Sequence, residues 1–373
     1  MKDLRESVRQ GKFSIREISD KARRIEDVVR LDIGQPDYPT PESVKKAAEE
    51  ALRSKKIKYT SLWGMKELRK EISRYEGHKL DEVTKENVLV TTGGTGALFS
   101  VFSTLCEPGE NILFNDPCWT VYSLQSKVSS VEINQTEFFK DGELDKENIK
   151  ESIGEDTKAI VVNNPENPSG RVYSKKELEE IAEVAKEEGL WIIADEVYDR
   201  MLYNAKHVSM GEIAPERSII INSMSKNFAM TGWRIGWVIA GDEEIIHELG
   251  KVNRATTACP NTLAQYAALE ALKEEDDYIE EMLEEYKGRR DLMQDYIDEL
   301  GWSYVEPRGA FYLFPEVNQD SWKFSKKLLE EEKVAVVPGE PSGENSSEKI
   351  RLCFGSADKE DIKKGMERIQ RFL

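Results

Sequence analysis

The chain has 373 residues, 39% of them hydrophobic, and its 53 Lys and Arg against 71 Asp and Glu give a formal net charge of −18. That length exceeds one simple core and predicts a large domain with a smaller one. So negative a surface repels phosphate backbones and anionic lipid, which argues against nucleic-acid or membrane partners. No apolar run approaches the roughly 18–20 residues needed to cross a bilayer, and the charged stretch Met1 to Gln10 has no secretory character. Cys106, Cys118, Cys259 and Cys353 are scattered without a CxxC pair, as expected for free thiols in a reducing cytoplasm. The histidines are His78, His207 and His247; they supply poorly either a metal cluster or a Ser-His-Asp triad, and no metal is expected.

From about residue 88 to 241, short β-rich runs alternate with helical stretches. Val88–Thr92, Asn111–Asn115, Val131–Asn134, Ala159–Asn163, Trp191–Asp195, Ser218–Asn222 and Ile235–Ala240 read as buried strands. Between them, Lys175–Glu188 carries Leu178, Ile181, Ala182 and Ala185 on one helical face. The alternation predicts an α/β domain with a mainly parallel, seven-stranded sheet covered by helices. Glu274–Leu300 reads as one long charged helix linking two bodies. Strands at Ala310–Phe314, Val334–Val337 and Ile350–Phe354, with helices near 321–331 and 358–372, predict a smaller α+β domain. The stretch Pro338–Lys349, rich in Gly, Pro, Ser and Glu, reads as a mobile loop. The expected division is an N-terminal arm and part of the small domain over 1–45, the large domain over 46–280 and the small domain over 281–373.

In open α/β sheets functional groups collect at the C-terminal ends of strands. Gly93-Gly94-Thr95, Asn167 and Asp195 all sit at such places. Thr91 to Leu98 opens a helix after a strand, where glycines permit close approach and free N–H groups favour a phosphate. The segment is neither GxxxxGK[ST] nor GxGxxG, so nucleotide readings are weak. Asp195 ends an apolar strand and needs a cationic or donor partner to offset its desolvation. Lys226, in Ser223-Met224-Ser225-Lys226 with Arg234 eight residues on, is unusual for a solvated lysine, and an amine held neutral is a useful carbonyl catalyst. Asn163 to Gly170 is a turn-rich loop. Trp119 places an aromatic ring just past a strand. Arg351 alternates with apolar neighbours in a half-buried strand and needs an anion.

Taken in order from about Leu31 to Arg351, these segments resemble the motifs of the class I/II aminotransferases, pyridoxal-phosphate enzymes of fold type I. The match is carried by serine-x-serine-lysine with the following Gly232-Trp233-Arg234, by Asp195-Glu196-Val197-Tyr198, and by Asn167-Pro168-Ser169-Gly170. The resemblance implies that Lys226 carries pyridoxal 5′-phosphate as a Schiff base and that Asp195 pairs with the ring nitrogen. Tyr198 and Asn167 would meet the ring's phenolic oxygen, and Trp119 would stack on the ring. Gly94, Thr95, Ser223 and Arg234 would hold the phosphate, joined by Tyr59 from the neighbouring subunit of a homodimer. Arg351 and Asn167 would clamp the substrate α-carboxylate, with Gly34 in the loop closing over it, while Pro307 to Tyr312 would serve small-domain structure. The implied reaction is ping-pong amino transfer between an L-α-amino acid and a 2-oxo acid, Lys226 moving the α-proton. The same cofactor groups would serve β-elimination or a specialised oxidation or cyclisation, and a non-enzymatic regulatory protein on this scaffold is the distant alternative. Two departures stand out. Ser169 replaces the usual Thr but keeps the hydroxyl. Thr95 occupies the place where a bacterial aspartate-type branch has a lysine for the distal carboxylate, leaving Arg254, Lys127 or a partner-chain residue as substitutes, while Trp119, Tyr122 and Trp63 would equally suit an aromatic or aliphatic side chain.

Overall fold

A computed structural model describes residues 14–54, 57–80, 83–273 and 276–373. Seven strands build the main sheet: β1 (Val88–Thr91), β2 (Asn111–Asn115), β3 (Glu132–Thr136), β4 (Thr157–Asn163), β5 (Trp191–Asp195), β6 (Ser218–Ser223) and β7 (Gly236–Ala240). Their order is β1-β7-β6-β5-β4-β2-β3. All neighbours from β6 to β3 are parallel, whereas β7 runs antiparallel to both β1 and β6. The central strands are rich in Val and Ile because both faces are covered. On β5, Ile192 and Ala194 enter one apolar cluster and Ile193 the other, the two-residue alternation of a pleated strand.

Helices follow from equally local causes. Lys175–Glu187 begins in a capping box made by Ser174 and Glu177, and buries Leu178, Ile181, Val184 and Ala185 against the sheet. The helix Gly93–Leu105 starts immediately after β1, and Thr92 offers it no side-chain cap. Its first N–H groups are therefore available to another acceptor.

The remaining chain forms a second apolar cluster, in which Leu31, Phe311, Tyr312, Leu352 and Phe354 pack against Ile362 and Met366 of the last helix. That helix spans Lys359–Phe372, and a long helix spans Asp276–Glu299; the expected start of the latter, Glu274, lies outside the described residues. The expected strand over Val334–Val337 proves to be two. Val334–Ala335 pairs in parallel with Val29–Arg30, and Val337–Pro338 pairs antiparallel with Ile350–Cys353. The stretch expected to be a mobile loop is instead built in. It makes two 3₁₀ turns, Glu340–Ser342 and Glu344–Ser346, that bury Ser342 and Ser346. Backbone N–H of Cys118 donates to Ser342 O at 2.8 Å, and N–H of Asn345 to Asp116 Oδ2 at 3.2 Å, so the turn-forming residues serve as a clip onto the main sheet. All four cysteines are free thiols. No helix among the described residues is long and apolar enough to cross a membrane.

The antiparallel strand has a direct bearing on the site. A Cβ on Gly236 would stand 2.7 Å from the Gly93 carbonyl carbon, and 2.8 Å from Gly94 N and Asn222 O. All three are backbone atoms with little room to yield. Gly236→Ala is therefore expected to destabilise the fold by about 1–3 kcal/mol, the usual range for overpacking, measured as a fall in the urea midpoint; an unchanged midpoint would show that the glycine-rich turn is not seated as described.

Candidate active site

The C-terminal ends of β4, β5 and β6, the start of helix Gly93–Leu105, the Gly34-Gln35 loop and two residues of the second body enclose a cavity of about 330 Å³. Such a volume lies at the lower end of small-molecule sites. Gly34, Gly94, Thr95, Trp119, Asn167, Asp195, Tyr198, Ser223, Lys226, Arg234 and Arg351 all line it. Tyr59 does not line it and stands 89% exposed on the surface. Lys127 and Arg254 do not line it either.

Lys226 follows β6 by three residues, and its Nζ donates to the Gly34 carbonyl at 2.6 Å. Burial pushes the amine down to about 8; the Arg351 and Arg234 charges act in the same sense, and Cys353 and Asp195 oppose them. Asp195, at the end of β5, is buried and accepts from the Tyr122 hydroxyl at 2.6 Å through Oδ2. Its Oδ1 is buried and has no hydrogen-bond partner among the described residues. Burial raises this carboxyl to about 6, while the Tyr122 hydroxyl and the Val197 N–H pull it back down. A half-satisfied carboxylate on the cavity wall calls for a donor from inside the cavity.

On the side of the second body, Arg351 donates from Nη1 to Asn167 Oδ1 at 3.1 Å and from Nη2 to the Asp32 carbonyl at 3.2 Å. Its guanidinium lies 4.6 Å over the Tyr312 ring. No carboxylate among the described residues forms an ion pair with it, so its charge is available to an anionic ligand. Tyr312 also shares a 2.9 Å hydrogen bond with Tyr198 through their hydroxyls. A Cβ on Gly34 would meet the Tyr312 hydroxyl at 2.6 Å, which explains glycine at this point. The Asn167 loop is closed from within by the Ser169 hydroxyl, which donates to the buried Glu166 carboxylate.

A third group of atoms forms a cup. Arg234 takes a left-handed backbone, φ 54°, and donates from Nη1 to Thr231 O at 2.8 Å. Its guanidinium lies against the helix start: a Cβ on Gly93 would meet Nη2 at 2.8 Å. With the uncapped N–H groups near Gly94 and Thr95 and the Ser223 and Ser225 hydroxyls, it offers several donors and a fixed positive charge to one anion.

Sequence reasoning missed three of these features. Tyr122, expected with Trp119 and Trp63 to suit an aromatic or aliphatic substrate side chain, is the hydroxyl partner of Asp195. Its place three residues on from Trp119, about one helical turn, was the available signal. Tyr312 was assigned to small-domain structure and is instead a cavity residue. Ser225 was given no role and lines the cavity.

The arrangement fits pyridoxal phosphate. The cup suits its phosphate, the orphaned Asp195 oxygen suits a protonated ring nitrogen, and Trp119 offers an aromatic wall. Fold and site define an α/β enzyme that handles amines and anions beside a lysine. Residues 26–369 match the profile of the family described as Aminotransferase class I and II. The chain is 38% identical to the probable aspartate aminotransferase of Methanocaldococcus jannaschii, covering 95% of each chain. It is 37% identical to the aspartate aminotransferase of Thermotoga maritima, over 93% of this chain and 92% of that one. Among solved structures, the aspartate aminotransferase from Thermus thermophilus with maleate superposes with a TM-score of 0.95 at 35% identity, covering 100% of both chains. The chain belongs to the class I and II aminotransferases, pyridoxal-phosphate-dependent enzymes of fold type I.

The Tyr122 hydrogen bond carries a pH prediction. It favours ionised Asp195, so Tyr122→Phe raises the Asp195 pKa further. A cofactor that needs the anion binds poorly where this carboxyl is protonated, below about pH 6 in the native protein. In the variant that loss is expected at higher pH, measured by cofactor titration of the apoprotein across pH; superimposable profiles would refute the Tyr122–Asp195 coupling.

Proposed function

We propose that this aminotransferase uses Lys226 as its cofactor lysine and proton carrier, Asp195 as the partner of the ring nitrogen and Arg351 as the clamp on the substrate α-carboxylate. The observation that carries the reading is the convergence on one cavity of an amine lowered to about 8 and, among the described residues, a carboxylate with one unpartnered oxygen and an arginine without a carboxylate partner. When bound, pyridoxal phosphate supplies an aldehyde that condenses with amines and a ring that accepts the electrons left at Cα.

The chain's own residues then have separable tasks. The cup of Gly94, Thr95, Ser223, Ser225 and Arg234 binds the phosphate. Tyr198 and Asn167 would meet the ring's phenolic oxygen, and Trp119 would pack on the ring face, since all three line the cavity. Arg351, steadied by Asn167 and stacked on Tyr312, orients the amino acid by its carboxylate. The Gly34 loop lies over the same end and receives the Lys226 amine. Lys226 Nζ takes the proton from the substrate Cα, which requires the neutral amine. With a pKa of about 8, roughly a tenth of it is neutral at pH 7, far more than for an ordinary lysine.

Three further roles complete the proposal. Tyr59 serves the phosphate cup of a second subunit in a homodimer, a role supported by an aromatic side chain left 89% exposed. The chain divides near residues 45 and 280 into the large domain and a small one that includes the N-terminal arm. Parallel pairing of Val29–Arg30 with Val334–Ala335 supports that division. The enzyme works in the cytoplasm, supported by its four free cysteines.

A panel of amino donors tests the function, headed by aspartate because the relatives' names carry it. Conversion of the cofactor's absorption to that of its aminated form, with a 2-oxo acid released, is the expected outcome. Lys226→Ala should abolish the absorption of the lysine-bound cofactor and lower turnover by about 10²–10⁴-fold or more. Full transamination by that variant would exclude Lys226 from both roles.

A further inference from the structure

Behind the cavity lies a second polar cluster that none of the tasks above uses. Lys79 is fully buried, and its Nζ lies 2.9 Å from Glu76 Oε2, 3.0 Å from Glu196 Oε2 and 2.6 Å from Asp199 Oδ2. Asn222 Nδ2 donates to Glu76 Oε1 at 3.0 Å and to Asp199 Oδ2 at 2.9 Å. Asn227 Nδ2 donates to Asp199 Oδ1 at 2.7 Å, and Trp237 Nε1 to Glu76 Oε1 at 2.9 Å. Glu196 Oε1 accepts from the Ser209 hydroxyl at 2.8 Å and from Met210 N–H at 3.0 Å.

The chain neighbours of this cluster give it meaning. Glu196 follows Asp195, Asp199 follows Tyr198, Asn222 precedes Ser223 and Asn227 follows Lys226. In each pair one residue lines the cavity and the other joins the ionic cluster. Asn222 and Ser223 share strand β6, where neighbours point to opposite faces; the other three pairs lie at the end of β5 or in turns, where the cluster's ties to one residue restrain the backbone of the next. Glu76 and Lys79 themselves lie outside the cavity lining, just past the helix Lys66–Tyr75.

Stability alone is a poor explanation for the cluster. Burying charges costs about as much as their attraction returns, and well-packed apolar residues often do as well. The cluster nonetheless ties these chain segments together: Glu76 Oε2 and Glu196 Oε2 accept no hydrogen bond among the described residues and are compensated chiefly by the Lys79 ammonium, so removing it would leave buried charges unpaired and let the backbone around them shift. We propose that Lys79 is a positioning residue for the reaction: by gathering Glu76, Glu196 and Asp199 it sets the backbone that aims Asp195, Tyr198, Ser223 and Lys226 into the cavity. This inference rests on the roles proposed above for those four residues.

The test uses cofactor-loaded enzyme and reads more than activity. In the wild type, the pH midpoint of the bound cofactor's absorption, the cofactor Kd and the thermal midpoint are measured together. Lys79→Met is expected to move the absorption midpoint by about half a unit or more and to weaken cofactor binding by about tenfold, the scale of outer-shell changes. Asn227→Ala cuts a single tie, leaves every charge in place and should shift both readouts in the same sense by less. Ile181→Val, a core change with no link to the cluster, should lower the thermal midpoint alone. If Lys79→Met does not fold, Asn227→Ala decides. A normal wild-type band with midpoint and Kd unmoved in the folded variants overturns the positioning role. A wild-type protein with no such band removes the cofactor reading, and this inference with it.

Discussion

A buried carboxylate with only one oxygen satisfied is the constraint around which this structure is arranged. Asp195 sits at the end of a hydrophobic strand, takes the Tyr122 hydroxyl on one side and leaves the other oxygen to the cavity. Its desolvation would be costly in a core that offered nothing more. A cationic donor held in the cavity offsets that penalty, and the carboxylate in turn favours the donor's protonated form. The raised pKa of Asp195 and the lowered pKa of Lys226 thus share a cause, the removal of both groups from water.

The sheet delivers these groups through its topology. Parallel strands β4, β5 and β6 end side by side, so Asn163, Asp195 and Ser223 come to one edge although they are far apart in the chain. The antiparallel strand β7 brings Gly236 beneath the glycine-rich turn and seats the phosphate cup against that edge. The second apolar body supplies Tyr312 and Arg351 from a small sheet of its own. In the proposed function, one set of residues faces the cofactor and the other faces the amino acid.

How much of this could be read beforehand depended on burial. Strands covered on both faces, such as Trp191–Asp195, are unbroken apolar runs and were legible to the residue. The edge strand was placed at Val131–Asn134, one residue early at its start and two short at its end, because Glu132–Thr136 is polar and half-exposed and has no apolar run to define it. Val334–Val337 looked continuous, but the chain changes partner between Ala335 and Val337, and the first partner, Val29–Arg30, is too short to show any period. Local motifs exposed Lys226, Asp195, Asn167 and Arg234, whose types and spacing carry the chemistry. Tyr122 and Tyr312 escaped because an aromatic residue in an apolar segment looks like core packing until its hydroxyl finds a partner. The Lys79 cluster was not legible at all: Glu76, Lys79, Glu196 and Asp199 look like ordinary surface charges until the fold buries them together.

The central claim concerns which amine holds the cofactor, and chemical trapping addresses it most directly. Enzyme loaded with pyridoxal phosphate is treated with borohydride, digested and mapped by mass spectrometry. The account predicts a single stable pyridoxyl modification, on the peptide containing Ser225-Lys226-Asn227. Modification confined to another lysine, or none at all on correctly loaded protein, would contradict it.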